Sequence, residues 1–489
     1  MNAPLNVITI HQESPLAWAE THFGEVDLGD PRRNQRAVTV AAAMATNPAQ
    51  SIPQIFPTPY EAKAAYSFFR HQEATPENLQ MAHRELVIEQ LNKPGRYLLL
   101  EDTSEMSWSG HEPIPGLGPI GKGSAGLQGF HLHSMLAVGW QSEAKEAEQW
   151  PGRQTVEVLG LPVQHYHIRQ PRPKDEPANN SKVLKSRARE SQWWEQAGEA
   201  LGPAPEEDSV QWTRVCDRGA DIYEMLASCA ELNHRFVIRA AQDRCLTNED
   251  GRAVTGKLFA TARSQSALGS YQLELRARPG QAARTAQLEV SAVEVWLRAP
   301  QRPGQGPGYL SPVRSQVVRV WEASPPPGIE ALEWIVLTDW SVTNYAEALE
   351  VALVYATRWL IEEFHKALKT GNQAEELQLE TAEGLFAAIA IKSVVALRLL
   401  DLRERVRLTP DAPAEQSGLN ELELTILRER LHRPLKTVRE VALAIGRLGG
   451  HMNRKADGMP GWLTLLRGMT KLNDLVEGAR IALKLNSFG

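Results

Sequence analysis

The spacing of hydrophobic and polar positions divides the chain into helical and strand-forming parts. Up to about residue 75 the pattern predicts helices, and Asp30 followed by Pro31 is typical of a helix start. Short apolar runs bounded by turn residues then predict five strands. These strands are expected at 96–103, 131–140, 155–163, 210–217 and 235–240. From about 242 to 340 the pattern predicts β-structure throughout, and the remainder is predicted to be helical.

The segment 355–371, YATRWLIEEFHKALKTG, contains two adjacent glutamates, and a helical projection selects one of them. At about 100° per residue, one stripe of this helix is polar. Its members are Tyr355, Arg358, Glu362, Lys366 and Lys369. The opposite face is apolar and consists of Leu360, Ile361, Phe364, Ala367 and Leu368. Glu363 lies beside the polar stripe, so Glu362 is the candidate for chemistry. The alternative is a surface helix with exposed i,i+4 ion pairs such as Glu362–Lys366, each contributing about 0.2–0.5 kcal/mol.

Composition and charge exclude several classes of protein. The chain has 489 residues, of which 42% are hydrophobic and 23% charged, so it can form about two to four globular domains. The net charge of −6 argues against a uniformly basic nucleic-acid coat but allows local basic clusters. Three cysteines without a CxxC pair exclude a disulfide framework. The first residues lack signal-peptide features, and the most apolar run (385–400) is interrupted by Lys392 and Arg398, so we expect a buried helix in a cytoplasmic protein.

Two acidic residues follow predicted strands. Asp102 ends the first strand and Asp217 ends the fourth, and strand ends are where loops converge in α/β sheets. With Glu362 they form a candidate all-oxygen site, which favours Mg²⁺ or Mn²⁺. Two such ions about 3.5–4 Å apart are a standard device of phosphoryl transfer. The cations near Glu362 would then position a phosphate backbone. Glu101 is expected to point to the opposite face of the strand from Asp102.

Two histidine pairs are weaker candidates for a metal site. His131 and His133 share one face of a predicted strand, as do His165 and His167 on the next. No third type of ligand is near either pair in sequence, so packing or a loop position is the favoured explanation.

Three blocks of sequence resemble a single family. A signature Y-x2-R-x3-E-x6-K occurs in the last third of the chain. It is met by Tyr355, Arg358, Glu362 and Lys369. LLLEDTS surrounds Asp102 and VCDRGADI surrounds Asp217. With LGDPRR near the start and AIGRLGG (444–450) near the end, these blocks span almost the whole chain. The sequence resembles the DDE cut-and-paste transposases of bacterial insertion sequences, in the Y-R-E-K signature branch that includes the Tn-five transposase.

The resemblance implies an α/β fold with a ribonuclease-H-like catalytic core, a β-stranded insertion, and flanking helical N- and C-terminal domains. It divides the chain into a helical DNA-binding domain (1–75), a catalytic domain (76–405, with the insertion at about 242–340) and a helical dimerisation domain (406–489). The implied partners are double-stranded DNA, from transposon ends and target, and a second copy of the chain in the DNA complex. No membrane is implied, and the implied location is the bacterial cytoplasm, at the nucleoid.

The resemblance also implies a reaction and its residues. Metal-activated water nicks the DNA, the freed 3′-hydroxyl forms a hairpin, and the resolved 3′ end joins target DNA. Asp102, Asp217 and Glu362 are the implied catalytic residues and the ligands of two Mg²⁺ (or Mn²⁺) ions. Implied DNA-binding positions are Arg32, Arg33, Arg36, Arg239, Trp334, Tyr355, Arg358 and Lys369. Trp334 lies 21 residues before Tyr355, the spacing expected for a tryptophan that stacks on an extruded base.

Three alternatives stay open at this point. One is a nuclease with the same core and no strand-joining step, and another is a catalytically silent DNA-binding inhibitor that dimerises with an active transposase. The intact acidic triad disfavours the inhibitor. For Trp334 the alternative is a core position, because a tryptophan that starts an apolar strand is usually buried.

Overall fold

The computed structural model describes residues 14–486, except 57, 109–111, 122–126, 142–155, 171–189, 276–281, 301–310 and 455–456. Helices form both ends of the described chain, and a mixed β-sheet lies between them. The fold is therefore mixed α/β, as the sequence pattern predicts.

Within residues 14–94, leaving aside position 57, the structure has five helices, and each has a proline in its first turn. They are α1 (Pro15–Phe23), α2 (Pro31–Thr46), α3 (Ile52–Ile55), α4 (Pro59–Phe69) and α5 (Pro76–Leu91). Proline suits this position because the first N–H groups of a helix have no partner within it. The side chains of Ser14, Asp30, Thr58 and Thr75 accept hydrogen bonds from such N–H groups and start α1, α2, α4 and α5.

The five predicted strands are present and form the centre of the sheet. They are β1 (Gly95–Ser107), β3 (Gln128–Trp140), β4 (Glu157–His167), β5 (Val210–Cys216) and β6 (Arg235–Arg239), and the short β2 (Gly118–Pro119) lies beside β3. Along the sheet the order is β4, β3, β1, β5, β6. β3 runs antiparallel to β1 and β4, whereas β1, β5 and β6 are parallel to one another. Two helices, α6 (Trp193–Leu201) and α7 (Tyr223–Glu231), lie in the connections that flank β5.

The segment from 242 to 340 extends this sheet. Its strands are β7 (Cys245–Thr247), β8 (Val254–Lys257), β9 (Gly269–Leu275), β10 (Arg284–Leu297), β11 (Val313–Glu322) and β12 (Glu333–Thr338). β12 pairs antiparallel with β6, so the added strands continue the central sheet. The prediction of β-structure throughout is wrong at α8 (Leu258–Arg263), because Leu258 and Ala262, one helical turn apart, are buried on the same core.

The remaining chain is helical, as predicted. It forms α9 (Tyr345–Thr357), α10 (Trp359–Lys366), α11 (Ala382–Leu408), α12 (Glu421–Leu431), α13 (Val438–Leu448) and α14 (Trp462–Asn486). α11 contains the apolar run 385–400 and is buried along most of its length, as expected. Its buried Lys392 donates hydrogen bonds to the carbonyl oxygens of Pro48 and Asn372, each at 2.7 Å. In the described part of the chain, no helix combines the length and apolarity that a membrane span requires.

One large hydrophobic core joins the two ends of the chain to the sheet. Side chains from α1 and α2 pack in the same cluster as β1, β3, α9, α10 and α11. The last helices, α12 to α14, contribute to it through residues such as Leu427, Ile445 and Leu472. α10 is thereby held against the second half of β1, which contains the candidate site residue Asp102.

Candidate active site

Asp102 and Asp217 are brought together by the parallel pairing of β1 with β5. The last paired residues are Glu101 and Cys216, so each aspartate is the next residue on its strand. Asp217 directly follows β5, as predicted, and its carboxylate accepts a hydrogen bond from the Gly219 N–H at 2.8 Å. The prediction that Asp102 ends its strand is wrong, since β1 continues to Ser107 through its pairing with β3. The two aspartates still mark the point where the parallel pair opens.

Glu362 faces this point from α10. The apolar residues of the predicted opposite face, Leu360, Ile361, Phe364, Ala367 and Leu368, are all fully buried. The prediction of one uninterrupted helix over 355–371 is wrong in two places. α9 ends at Thr357 and α10 begins at Trp359, and a π-helical turn (Ala367–Gly371) follows Lys366. These breaks leave the face of Glu362 unchanged.

Arg358 lies at the junction of α9 and α10 and pairs with two of the acids. Its Nη1 is 3.6 Å from Asp102 Oδ2, and its Nη2 donates a hydrogen bond to Glu362 Oε1. Burial lowers the pKa of Arg358, but Tyr355, Asp102 and Glu362 outweigh this and hold the pKa above its ordinary value. The pair that Glu362 forms is therefore with Arg358, one turn earlier, and not with Lys366 as in the surface-helix alternative.

The protonation of Asp102 reflects a crowded acidic site. Burial is the largest influence and raises the pKa of Asp102 to about 6. Arg358 opposes this rise, whereas the negative charges of Asp217 and Glu362 add to it. Asp217 and Glu362 therefore both lie close enough to Asp102 for their charges to affect it.

Basic side chains complete an open cleft of about 370 Å³. Its lining residues are Asp102, Thr103, Ser104, Glu362, His365, Lys366, Lys369, Thr370 and Glu375. Lys369 Nζ donates a hydrogen bond to the Glu105 carbonyl oxygen at 2.7 Å and lies 3.2 Å from Glu375 Oε1. Lys366 is exposed. The cleft is thus lined by both acids and lysines, and the lysines suit a phosphate ester better than a neutral ligand.

Two neighbouring glutamates have structural partners. Glu363, half-buried, forms an ion pair with Arg403 on α11, with Oε1 2.6 Å from Nη1. Glu101 is fully buried on the other face of β1, where it pairs with Arg214. The helical projection and the strand alternation therefore separate the residues that face the cleft from those that do not.

Three of the four histidines contact a tryptophan ring, and His165 contacts His167. His131 and His133 on β3 lie beside His167 and His165 on β4, in that register. The His167 ring stacks on Trp193 with a centroid distance of 4.4 Å, and burial lowers the pKa of His167 to about 3. These contacts fit the packing explanation.

The three predicted arginines of α2 differ in their surroundings. Arg32 is exposed, and Arg36 is half-buried. Arg33 Nη1 donates a hydrogen bond to the Leu28 carbonyl oxygen, so part of this guanidinium supports the turn before α2. Arg32 and Arg36 are therefore better placed than Arg33 to contact an external phosphate.

The remaining predicted DNA-binding residues lie on β6, β12 and α9. Arg239 Nη2 donates a hydrogen bond to the Glu333 carbonyl oxygen at 3.2 Å, next to Trp334. Trp334 and Tyr355 are half-buried, and both pack against the main core. Trp334 is thus neither a fully buried core residue nor a free surface ring.

Trp359 is an exposed aromatic residue beside the site that the sequence prediction did not include. This tryptophan directly follows Arg358, and its side chain is 54% exposed although it starts the amphipathic helix α10. The signal was present in the projection, because Trp359 falls on neither the polar stripe nor the apolar face. His365 was also passed over; it is buried in the cleft wall, and burial lowers its pKa to about 3.

The carboxylates have the chemistry of a hard-cation site, but their present arrangement is not that of a formed one. Among the described residues no group of three His, Cys, Asp or Glu side chains is placed to hold a metal ion. The convergence of the three carboxylates on one point therefore stays a prediction. Two of the carboxylates, those of Asp102 and Glu362, instead pair with the Arg358 guanidinium. The donor set still fits Mg²⁺ or Mn²⁺, since it consists of carboxylate oxygens that repel one another.

Comparison with protein families adds an independent finding. Residues 15–74 match the family model described as transposase DNA-binding. The match covers α1 to α4 and lies within residues 1–75, for which the sequence predicts a helical DNA-binding domain. Its α2 carries Arg32, Arg33 and Arg36. The chain therefore contains a segment similar to transposase DNA-binding domains, and this supports a DNA-processing transposase with DNA as its partner.

Proposed function

We propose that this protein is a DDE transposase that cuts transposon ends through a hairpin intermediate and joins them to target DNA. One observation carries the proposal: Asp102, Glu362 and two lysines line one cleft, with Asp217 close enough to affect Asp102, in a chain with a transposase-like DNA-binding segment. Neither feature alone would suffice, because acidic clefts and DNA-binding helices each occur in many proteins.

The strand arrangement supports a ribonuclease-H-like core. Three antiparallel strands, β4, β3 and β1, are followed by the parallel strands β5 and β6. Asp102 and Asp217 stand where the parallel pairing of β1 with β5 ends, and such openings are where α/β sheets place their ligands. The third acid comes from a helix that follows the inserted strands.

The residues of the site have separate chemical roles in this proposal. Asp102, Asp217 and Glu362 would hold two Mg²⁺ or Mn²⁺ ions, which activate an attacking oxygen and stabilise a leaving one. Lys369, positioned by the Glu105 carbonyl oxygen and Glu375, holds a phosphate at the edge of the cleft. Arg358 binds a phosphate bidentately near the scissile bond. Water enters freely, because the cleft is open to solvent.

DNA is positioned by residues outside the cleft. Arg32 and Arg36 contact the phosphates of the transposon end, and Arg239 lies beside Trp334 at the junction of β6 and β12. A half-buried tryptophan can stack on an extruded base, which returns about 1–3 kcal/mol of the cost of extrusion. Tyr355 lies one turn before Arg358 and lines the same approach.

The active form is a homodimer on DNA. α14 supports this part of the proposal, because it exposes large apolar side chains in addition to those it buries. These exposed side chains are Leu463, Leu475, Ile481 and Leu483. A second copy of the chain is the partner that covers them.

The test is incubation of the protein with its element ends and Mg²⁺, followed by separation of nicked, hairpin and joined DNA. Glu362→Gln is expected to abolish all three products, whereas Glu363→Gln should retain them because Glu363 pairs with Arg403. Equal loss in both variants, with the fold intact, would contradict the assignment of Glu362. Nicks without joined products would favour the nuclease, and end binding without any product would favour the inhibitor.

A further inference from the structure

Arg358 supplies positive charge to two of the three acids of the candidate site. Its guanidinium pairs with Asp102 on β1 and with Glu362 on α10, so two of the three acids share one positive charge. The Arg358 side chain is 12% exposed, so this pair is largely shielded from solvent. An i,i+4 pair within α10 would explain the contact with Glu362 but not the contact with Asp102, which lies on another element.

Guanidinium and a divalent metal ion compete for the same atoms. Arg358 is a donor only, and the carboxylate oxygens that receive its N–H groups, or lie nearest to its charge, are those a metal would use. A metal ion that arrived while Arg358 stayed in place would meet a like charge at ion-pair distance. Binding of the metal therefore requires Arg358 to leave both acids.

A DNA phosphate offers Arg358 a stronger partner than Asp102 does. On the Asp102 side the contact is electrostatic only, because Nη1 has no hydrogen-bond acceptor among the described residues. A phosphate offers guanidinium a bidentate, charge-assisted pair in its place. Arg358 also stands at the joint between α9 and α10, and its long side chain can turn there without unwinding either helix.

We infer that Arg358 occupies the metal position in the DNA-free protein and yields it when a DNA phosphate enters the cleft, so that metal binding depends on DNA binding. This inference rests on the proposed function. Its consequence is that the protein without DNA holds its catalytic metals weakly and binds them more tightly once DNA is in the cleft.

The test measures Mn²⁺ binding to the full chain by electron paramagnetic resonance of the free ion, with and without a DNA duplex. Without DNA, Arg358→Gln should raise the Mn²⁺ affinity by about tenfold or more, because a charge at ion-pair distance from two ligands is removed. Lys366→Gln is the matched control, since it removes a cation from the same cleft that is not paired with these acids; it should change the affinity less. Adding DNA to the wild type should raise Mn²⁺ affinity toward that of Arg358→Gln.

Two further variants identify the outcome. Glu362→Gln combined with Arg358→Gln should remove the gained Mn²⁺ binding, which locates it at this site. Arg358→Lys keeps the charge and gives an intermediate affinity, and it serves if Arg358→Gln does not fold. Equal DNA-free affinities in the wild type and Arg358→Gln, or a gain no larger than in Lys366→Gln, would overturn the inference. If such a protein still cuts and joins DNA, the proposed function stands without it.

Discussion

Replacing Glu101 by glutamine tests the buried ion pair directly behind the candidate site. Glu101 precedes Asp102 on β1, and its carboxylate accepts hydrogen bonds from Arg214 Nε at 2.6 Å and Nη2 at 2.8 Å. Both side chains are 0% exposed. Glutamine keeps the size of the side chain but not its charge, so Arg214 would remain buried without a counter-ion.

Two routes give a similar magnitude for this loss. Removing one partner of a buried pair typically costs about 3–5 kcal/mol. Burial raises the pKa of Glu101, but Arg214 outweighs it and the pKa falls from 4.5 to about 2. This difference corresponds to about 3 kcal/mol of stability. Since the folded-state pKa is the lower one, the contribution is present above pH 4.5 and is lost as the pH falls toward 2.

The assay is urea unfolding of the full chain at pH 7. Glu105→Gln is the matched control on the same strand, because its side chain is 47% exposed and its loss should cost less than about 1 kcal/mol. In a cycle with Arg214→Met, the double variant should be less destabilised than the sum of the single variants. A Glu101→Gln variant that loses no more stability than Glu105→Gln would refute the reasoning.

Three further predictions concern DNA contacts and pH. Arg32→Ala and Arg36→Ala should each lower the slope of log K against log salt for end DNA by about 0.9, and unchanged slopes in a binding titration would remove both from the interface. Trp334→Ala should spare the first nick and slow hairpin formation and resolution in a product time course; loss of the nick in a folded variant would argue against a stacking role. Burial, with a smaller contribution from Arg398, lowers the pKa of His22 from 6.5 to about 4, and its ring contacts His83 at 3.1 Å between Nδ1 atoms. The unfolded chain therefore binds more protons than the folded chain below pH 6.5, so about 3 kcal/mol of folding stability should be lost as the pH falls from 6.5 to 4. Thermal melts across this pH range should show a smaller loss of stability for His22→Gln than for the wild type.

Local pattern was sufficient for most of the central sheet and for the choice between neighbouring acids. Apolar runs between turn residues marked all five central strands, although buried polar residues such as Thr213 and Arg214 lie within β5. Alternation along β1 placed Glu101 and Asp102 on opposite faces, and the projection of α10 separated Glu362 from Glu363. Each of these conclusions depends only on the geometry of one element.

Contacts between elements were beyond the reach of local pattern. The end of β1 at Ser107 depends on its pairing with β3, and the helix α8 depends on a core that it shares with distant strands. Arg239 bonds to the Glu333 carbonyl oxygen across the pairing of β6 with β12. The sequence pattern identifies residues that can form such contacts. It does not predict which distant residue each of them will contact.

The cleft shows most directly why the partner matters. Lys369 meets the Glu105 carbonyl oxygen across 264 positions of sequence, and Arg358 meets Asp102 across a comparable distance. Acids that lie together at the end of two parallel strands repel one another, as the raised pKa of Asp102 reflects. Cations from another element can reduce this repulsion. Here Arg358 and Lys369, near Glu362 in sequence, contact β1. The polar stripe of 355–371 is therefore better explained as a source of positive charge for the acids beside β1 than as a solvated surface. Its Arg358 lies at ion-pair distance from Asp102 on β1 and is mostly shielded from water.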